Sequence, residues 1–139
     1  MPRILSIDYG SKRTGIAVTD PLKIIATGLT TIPSGELIPF LKKYLLQESV
    51  EKIIIGIPVN WDESDTHGTA PARKAVERLR KEFPNLPVQE VDERFTSKMA
   101  RDAMLEMGLK KSKRRDKKLV DEIAATIMLQ EYLSLMSYD

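Results

Sequence analysis

Apolar and polar residues in the first third of the chain follow a strand-like pattern and then change period. Three runs rich in apolar and β-branched residues come first, "RILSIDYG", "TGIAVTD" and "KIIATGLTTI". Because short polar turns separate them, they predict a β-meander whose first strand ends at Asp8. The next segment, "SGELIPFLKKYLLQES", carries apolar residues at intervals of three and four. This spacing predicts an amphipathic helix with Ser34 as its N-cap and Pro39 in its first turns.

Strands and helices alternate along the rest of the chain. The predicted strands are "EKIIIGIP" and "LPVQEVDE", and the predicted helices are "PARKAVERLRKEF", "SKMARDAMLEMG" and "LVDEIAATIMLQEYLSLM". The resulting order, β-β-β-α-β-α-β-α-α, requires right-handed crossovers after the meander. It therefore indicates an α/β fold with a central five-stranded mixed sheet flanked by helices. We expect a single domain over residues 1–139, because a chain of this length holds one hydrophobic core.

The composition is that of a folded chain without a membrane segment. Hydrophobic residues make up 42% of the sequence, enough for a packed core, and no run of about 18 apolar residues could span a membrane. The first residues, "MPRILSID", include an acid and lack the cleavage pattern of a signal peptide. The absence of cysteine excludes disulfides and thiolate metal sites. We therefore expect a cytoplasmic protein with no membrane partner.

Positive charge is concentrated in one part of the sequence. Residues 94–118 carry ten Lys or Arg against three Asp or Glu, a local charge of +7, whereas the whole chain has a net charge of +2. The other residues must then sum to −5. This segregation favours an anionic partner on one face of the protein, the alternative being a solvated, mobile loop.

A run of seven cations in ten residues, "LKKSKRRDKK", leads directly into the last predicted helix. We expect it to bind a nucleic-acid backbone in a salt-sensitive way that is largely independent of sequence. The candidate residues are Lys110, Lys111, Lys113, Arg114, Arg115, Lys117 and Lys118, together with Lys12, Arg13 and Arg94. Lys12 and Arg13 either contact a phosphate or balance nearby acids. On the second predicted helix, Arg73, Lys74, Arg78 and Lys81 either extend this basic surface or form a solvated helix face.

Three acidic residues occupy positions at which elements of an α/β fold can converge. Asp8 ends the first predicted strand, Glu93 follows the last strand, and Asp121 lies in the first turns of the final helix. The functional crevice of such folds lies at the carboxyl ends of the strands, which Asp121 can reach if its helix packs across the sheet. Ala124 and Ala125 would give that helix a thin face for close packing. Taken singly, each acid also has an ordinary structural explanation, as a turn former, an ion-pair partner or a helix-end residue.

Converging carboxylates repel one another unless a cation neutralises them. Oxygen ligands without cysteine or a nearby histidine favour Mg²⁺ or Mn²⁺, and two such ions can clamp the attacking and leaving oxygens of a phosphodiester displacement. We therefore predict that Asp8, Glu93 and Asp121 are metal ligands and catalytic residues. Gly10 and Gly15 would let the backbone approach a phosphate.

Four motifs in order resemble those of the YqgF family, which comprises Holliday junction resolvase-like proteins and pre-16S ribosomal RNA nucleases. They are "DYGSKRTGIAVTD", "GIPVNWDESDTHGTAPARK", "VDERFTS" and "VDEIAATIMLQEYL". The resemblance implies a ribonuclease H-like fold and a metal-dependent endonuclease with its acidic triad on Asp8, Glu93 and Asp121. The middle motif departs from the family pattern at "DESDTHG", which contains His67, the only histidine.

The resemblance leaves the substrate open between two nucleic acids. The main prediction is processing of the 5′ end of pre-16S ribosomal RNA in ribosome biogenesis, and the alternative is resolution of Holliday junctions in branched DNA. Two other classes compete with a nuclease. A phosphotransferase of the actin-like type also opens with "D.G....G" but needs two domains, and a non-catalytic nucleic-acid-binding module would use the acids only to cap strands. We expect a monomer or a weak homodimer.

Overall fold

Five strands form one mixed sheet in the computed structural model, which describes residues 2–58, 68–92, 102 and 117–136 of the chain. The strands are β1 (Arg3–Tyr9), β2 (Arg13–Thr19), β3 (Ala26–Pro33), β4 (Val50–Ile57) and β5 (Val88–Asp92). The helices of the described part are α1 (Leu37–Gln47), α2 (Thr69–Glu82) and α3 (Lys117–Met136). A 3₁₀ turn at Ser34–Glu36 precedes α1.

The sheet has the order β3-β2-β1-β4-β5. The first three strands form an antiparallel meander, and β4 and β5 continue the sheet in parallel with β1. Helix α1 lies in the connection from β3 to β4 and α2 in the connection from β4 to β5, as parallel pairing requires. The predicted meander and the five-stranded mixed sheet are confirmed.

Helices cover both faces of the central strands, which explains why those strands are almost continuously apolar. On one face, α1 and α2 pack against alternate residues such as Leu5, Ile7 and Ile55. On the other face, α3 packs against Ile4 and Ile54. We call this second side the α3 face of the sheet.

Helix α3 lies close to the sheet, because small residues line its inner side. Ala124 and Ala125 are 1% and 0% exposed, which confirms the thin face predicted for this helix. The hydroxyl of Ser6 in β1 donates a hydrogen bond of 2.9 Å to the carbonyl of Ala125. This bond joins the centre of the sheet directly to the helix.

Among the predicted boundaries that differ from the structure, three lie near the acids or the basic run. Strand β1 continues one residue beyond Asp8, and Ser34 is not an N-cap, because Glu36 occupies that position of α1 and the buried Ser34 belongs to the preceding 3₁₀ turn. Helix α3 begins at Lys117, so the last two cations of the basic run are helical rather than part of a loop. Pro39 lies in the first turn of α1, as predicted.

The predicted helix "SKMARDAMLEMG" lies outside the described residues except for Asp102, which is helical and exposed. In the part of the chain that the structure describes, no helix combines the length and the apolar character needed to cross a membrane.

Candidate active site

Asp8 lies near the carboxyl end of the central strand β1. Its Cα is paired with Gly15 on β2 and with Gly56 on β4. Side chains alternate along a strand, and Ile4 and Ser6 both contact α3, so Asp8 belongs to the α3 face. The residue is half-buried and has glycine on both sides in the sheet, which leaves room above it for another group.

Helix α3 brings the main chain of Asp121 next to Asp8, at the carboxyl end of β1. A Cβ atom built on Gly15 would lie 2.1 Å from the carbonyl oxygen of Asp121, so the main chain of α3 rests directly on this glycine. Because Gly15 is the register partner of Asp8, the two acids come from opposite ends of the sequence to one edge of the sheet. Gly15 was predicted to admit a phosphate, and this prediction is wrong, because the helix backbone occupies the space.

Gly10 also serves the fold rather than a ligand. A Cβ atom on this residue would lie 2.5 Å from the carbonyl oxygen of Arg13, to which the Gly10 N–H donates a hydrogen bond of 2.9 Å. The glycine therefore permits a tight connection between β1 and β2, and the prediction that it admits a phosphate is corrected as well. We call residues 10–13 the Gly10–Arg13 turn.

Arg13 pairs with Asp121 across this edge. Its Nε donates a hydrogen bond of 3.1 Å to Oδ2 of Asp121, and the two side chains are 32% and 25% exposed. Of the two roles predicted for Arg13, balancing a nearby acid is thus observed. An opposite charge beside Asp121 also lowers the electrostatic cost of holding Asp8 and Asp121 near each other.

The guanidinium of Arg13 retains donors after this pairing. Arginine carries five N–H donors, and among the described residues the ion pair with Asp121 accounts only for Nε. The neighbouring Lys12 is exposed, and its carbonyl accepts the N–H of Ser34 at 3.0 Å. The turn thus carries two cations, of which Arg13 pairs with Asp121 and Lys12 is exposed to solvent.

Most of the predicted basic surface lies outside the described residues. So does Glu93, the third predicted acid, although β5 ends at Asp92, directly before it in sequence. The predicted residues outside the described part are Arg94, Lys110, Lys111, Lys113, Arg114 and Arg115, and His67 is also outside it. Lys117 and Lys118 form the beginning of α3, and the Lys118 carbonyl accepts the hydroxyl of Thr31 at 2.7 Å.

The exposed cations of α2 lie on the other side of the molecule. Arg73, Lys74, Arg78 and Lys81 are all exposed, as a solvated helix face requires. Because α2 packs on the face of the sheet opposite α3, these side chains are separated by the sheet from Asp121.

The donor chemistry of the two described acids fits a hard divalent cation. Carboxylate oxygens are the ligands that Mg²⁺ and Mn²⁺ prefer, and the chain has no cysteine that would favour a softer metal. A carboxylate has about four acceptor sites, and the bond from Arg13 uses one of those on Asp121. Within the described residues, no three acidic, histidine or cysteine side chains form a metal-binding group, and Glu93 is not among those residues.

Two features of the site had no sequence signal that identified them. The alanines of α3 indicated close packing on the sheet, but no sequence pattern shows that the helix rests on Gly15, since that contact depends on the packing of the whole helix. The contribution of Ser34 to the Gly10–Arg13 turn was also missed, because a serine before a helix is usually interpreted as a cap.

The fold is the ribonuclease H-like α/β fold that the motifs had implied. The structure is similar to that of T. thermophilus RuvC in complex with a Holliday junction substrate, with a TM-score of 0.61 and 17% identity, covering 99% of this chain and 97% of that one. A second Thermus thermophilus RuvC structure gives a TM-score of 0.55 at 16% identity, covering 98% of this chain and 96% of that one. At these identities the similarity concerns the fold.

The sequence comparisons identify the family. The family described as "RuvX: Holliday junction resolvase" matches residues 2–135. Relatives from Christiangramia forsetii and Phocaeicola vulgatus are both 53% identical, covering 96% and 99% of this chain and 98% and 99% of their own. A relative from Flavobacterium johnsoniae is 55% identical, covering 96% of this chain and 97% of its own. All three carry the name "Putative pre-16S rRNA nuclease". The chain belongs to this RuvX family, which is the YqgF family indicated by the motifs.

Proposed function

We propose that the protein is a metal-dependent endonuclease that hydrolyses phosphodiester bonds of structured RNA and processes the 5′ end of pre-16S ribosomal RNA. One observation carries the proposal: α3 rests on Gly15 and so brings Asp121 to the edge of the sheet where Asp8 lies. The names of relatives at 53–55% identity support RNA as the substrate.

Two Mg²⁺ or Mn²⁺ ions would be bound by Asp8, Glu93 and Asp121. Ions held there would activate water for attack on the phosphate and would offset charge on the leaving oxygen. The contribution of the chain is to hold two carboxylates at fixed positions, one on a central strand and one on a helix that cannot move away without losing its contact with Gly15. Glu93 enters this set from its position directly after β5.

Arg13 has two tasks in this proposal. Through Nε it fixes the orientation of the Asp121 carboxylate, and its remaining guanidinium donors are available for a phosphate oxygen of the substrate. A cation at this point would stabilise negative charge that develops on the phosphate during hydrolysis. Lys12 and Arg94 would provide further phosphate contacts beside it.

The basic segment would hold the nucleic-acid backbone over the acids. Lys110, Lys111, Lys113, Arg114 and Arg115 precede α3 in sequence, and Lys117 and Lys118 form its first residues. Asp121 follows in the same helix, so a backbone bound by these cations would pass close to the proposed metal ligands. Such binding is dominated by phosphate contacts, which position the substrate without reading its bases.

The decisive experiment uses Asp8→Asn, which removes the charge of a proposed metal ligand while keeping its size. The purified protein is incubated with a pre-16S ribosomal RNA fragment and with a branched DNA junction, with Mg²⁺ or Mn²⁺ and with chelator. We expect metal-dependent cleavage of the RNA by the wild type, a loss of about a thousandfold or more in kcat for Asp8→Asn, and retained RNA binding. The matched control is Glu131→Gln, which removes one acidic charge from an exposed position of α3.

Three outcomes would contradict the proposal in different ways. Cleavage that survives Asp8→Asn would remove Asp8 from the catalytic site. Cleavage of the branched DNA but not the RNA would identify a junction resolvase. Binding without cleavage by the wild type, under all metal conditions, would indicate a non-catalytic nucleic-acid-binding module.

A further inference from the structure

Ser34 forms a buried hydrogen-bond network beneath the Gly10–Arg13 turn. The residue is 8% exposed, and its hydroxyl donates to the carbonyl of Gly10. The hydroxyl of Thr14, which is fully buried, lies 2.7 Å from the Ser34 Oγ. A carbonyl only accepts and a serine has one hydroxyl hydrogen, so Thr14 must be the donor in the bond between the two hydroxyls.

The same residue also holds the turn through its main chain. The N–H of Ser34 donates to the carbonyl of Lys12 at 3.0 Å. Ser34 thus binds two carbonyls of one four-residue turn, and the turn adds one bond of its own, from the Gly10 N–H to the Arg13 carbonyl. These bonds fix the path of the backbone up to Arg13.

The network continues from the turn into the candidate active site. Arg13 leaves the turn as the first residue of β2, and its Nε holds the carboxylate of Asp121. A shift of the turn would therefore move the guanidinium and change the orientation of a proposed metal ligand. The proposed route from Ser34 to Asp121 is therefore the ion pair that Arg13 forms with this carboxylate.

We propose that Ser34 is a positioning residue, which sets the Gly10–Arg13 turn so that Arg13 holds Asp121 and meets the phosphate of the nucleic acid. This inference rests on the proposed function, since it assigns Ser34 a task at the proposed nuclease site. It differs from a purely structural role because it requires that the effect of Ser34 depend on Arg13.

The test is a double-mutant cycle with Ser34→Ala and Arg13→Ala, measured as kcat/KM for the RNA substrate and as dissociation constant for the same RNA. Ser34→Ala alone should lower kcat/KM by about a hundredfold, the effect expected for a misplacement of about 1 Å at a reacting site. In the Arg13→Ala background it should lower kcat/KM less than about twofold further, because residues that act through one another are not additive.

The matched control is Thr19→Val, which removes a buried hydroxyl at the far end of β2. That hydroxyl accepts the N–H of Ile4 at 3.0 Å and has no connection to the turn. Assays are run well below the melting temperature of each variant. Thr19→Val should lose thermal stability but keep kcat/KM.

If Ser34→Ala does not fold, Thr14→Val takes its place in the cycle, since it removes the donor to Ser34 while leaving the bond to Gly10.

Amide hydrogen exchange gives a readout that does not depend on catalysis. Exchange of the Gly10 amide and of the amide at position 34 should accelerate in Ser34→Ala and remain unchanged in Thr19→Val. Full additivity with Arg13→Ala, unchanged exchange at both amides, or an equal loss of kcat/KM in Thr19→Val would each overturn the inference. If the wild type cleaves neither RNA nor DNA, the proposed function fails, and the cycle in the RNA dissociation constant then decides the role of Ser34.

Discussion

At the scale of single residues, Gly15 and Arg13 determine how close two acids can come. Gly15 removes the Cβ atom that would separate α3 from β2, and Arg13 supplies the charge that offsets the second carboxylate. Bringing like charges together without a counter-charge raises the pKa of one of them and destabilises the fold. The site therefore needs a small residue and a cation as much as it needs the acids.

Gly15→Ala should destabilise the protein and distort the site. The new Cβ atom would lie 2.1 Å from the Asp121 carbonyl oxygen and 2.4 Å from its carbonyl carbon, so the helix must move. We expect a loss of about 1–3 kcal/mol or more in the free energy of unfolding, measured by denaturant titration, together with reduced nuclease activity.

Gly35→Ala is the control for this substitution, because nothing lies within 4 Å of the Cβ atom that it adds. Its stability should remain within about 0.5 kcal/mol of the wild type, as for surface substitutions in general. Equal stability of the two variants would show that α3 does not press on Gly15.

At the scale of elements, hydrophobic periodicity predicted the strands and helices well and predicted their ends poorly. The meander and the apolar face of α2 follow from patterns that packing enforces. The start of α3 does not follow from such a pattern. Lys117 and Lys118 do not extend the apolar periodicity, and the helical backbone nevertheless includes them. Ser34 was misassigned for a related reason. Its hydroxyl is used by the Gly10 carbonyl and the Thr14 hydroxyl, and its N–H by the Lys12 carbonyl, so the residue serves the turn and not the helix N-terminus.

The connection between β2 and β3 contains Asp20, a carboxyl group whose pKa is lowered in the folded protein. Oδ1 of Asp20 accepts the N–H groups of Ile24 and Ile25 at 2.7 and 2.8 Å, and Lys23 adopts a left-handed conformation with φ of 58°. The hydrogen bond from the Ile25 backbone is the largest cause that lowers the pKa of Asp20 below its ordinary value. The charged carboxylate therefore stabilises this turn.

The pH dependence follows from the sign of this shift. A carboxyl group whose pKa is lower in the folded state stabilises the fold at pH values above its unfolded-state pKa of about 3.9. This contribution is lost as the pH falls through the folded-state pKa. Wild type should lose more stability than Asp20→Asn as the pH is lowered from about 5 through this range. Carbon-13 titration of the Asp20 carboxyl should give a midpoint below about 3.9, and parallel stability curves would contradict the assignment.

At the scale of the whole molecule, the succession of strands and helices along the chain and the position of Asp8 at the end of β1 were predictable, and the contact of α3 with Gly15 was not. Asp8 was identified because the carboxyl ends of central strands converge in α/β folds. Asp121 required the further assumption that the final helix crosses the sheet, which its alanines indicated and the structure confirms. The Arg13–Asp121 pair depends on the register of β2 against both β1 and α3, and no local pattern encodes that register.

Salt dependence can separate the cations that precede α3 in the sequence from the exposed cations of α2. Replacing Lys110, Lys111, Lys113 and Arg114 by glutamine should reduce the slope of log Kobs against log salt concentration for RNA binding by about three, if each cation contacts one phosphate. Replacing Arg73, Lys74, Arg78 and Lys81 removes the same charge from α2, on the opposite face, and should leave the slope unchanged. Fluorescence anisotropy between about 50 and 200 mM salt measures both. An equal decrease in the two variants would show that net charge attracts the RNA, and a larger decrease for the α2 variant would assign the binding surface to the other face.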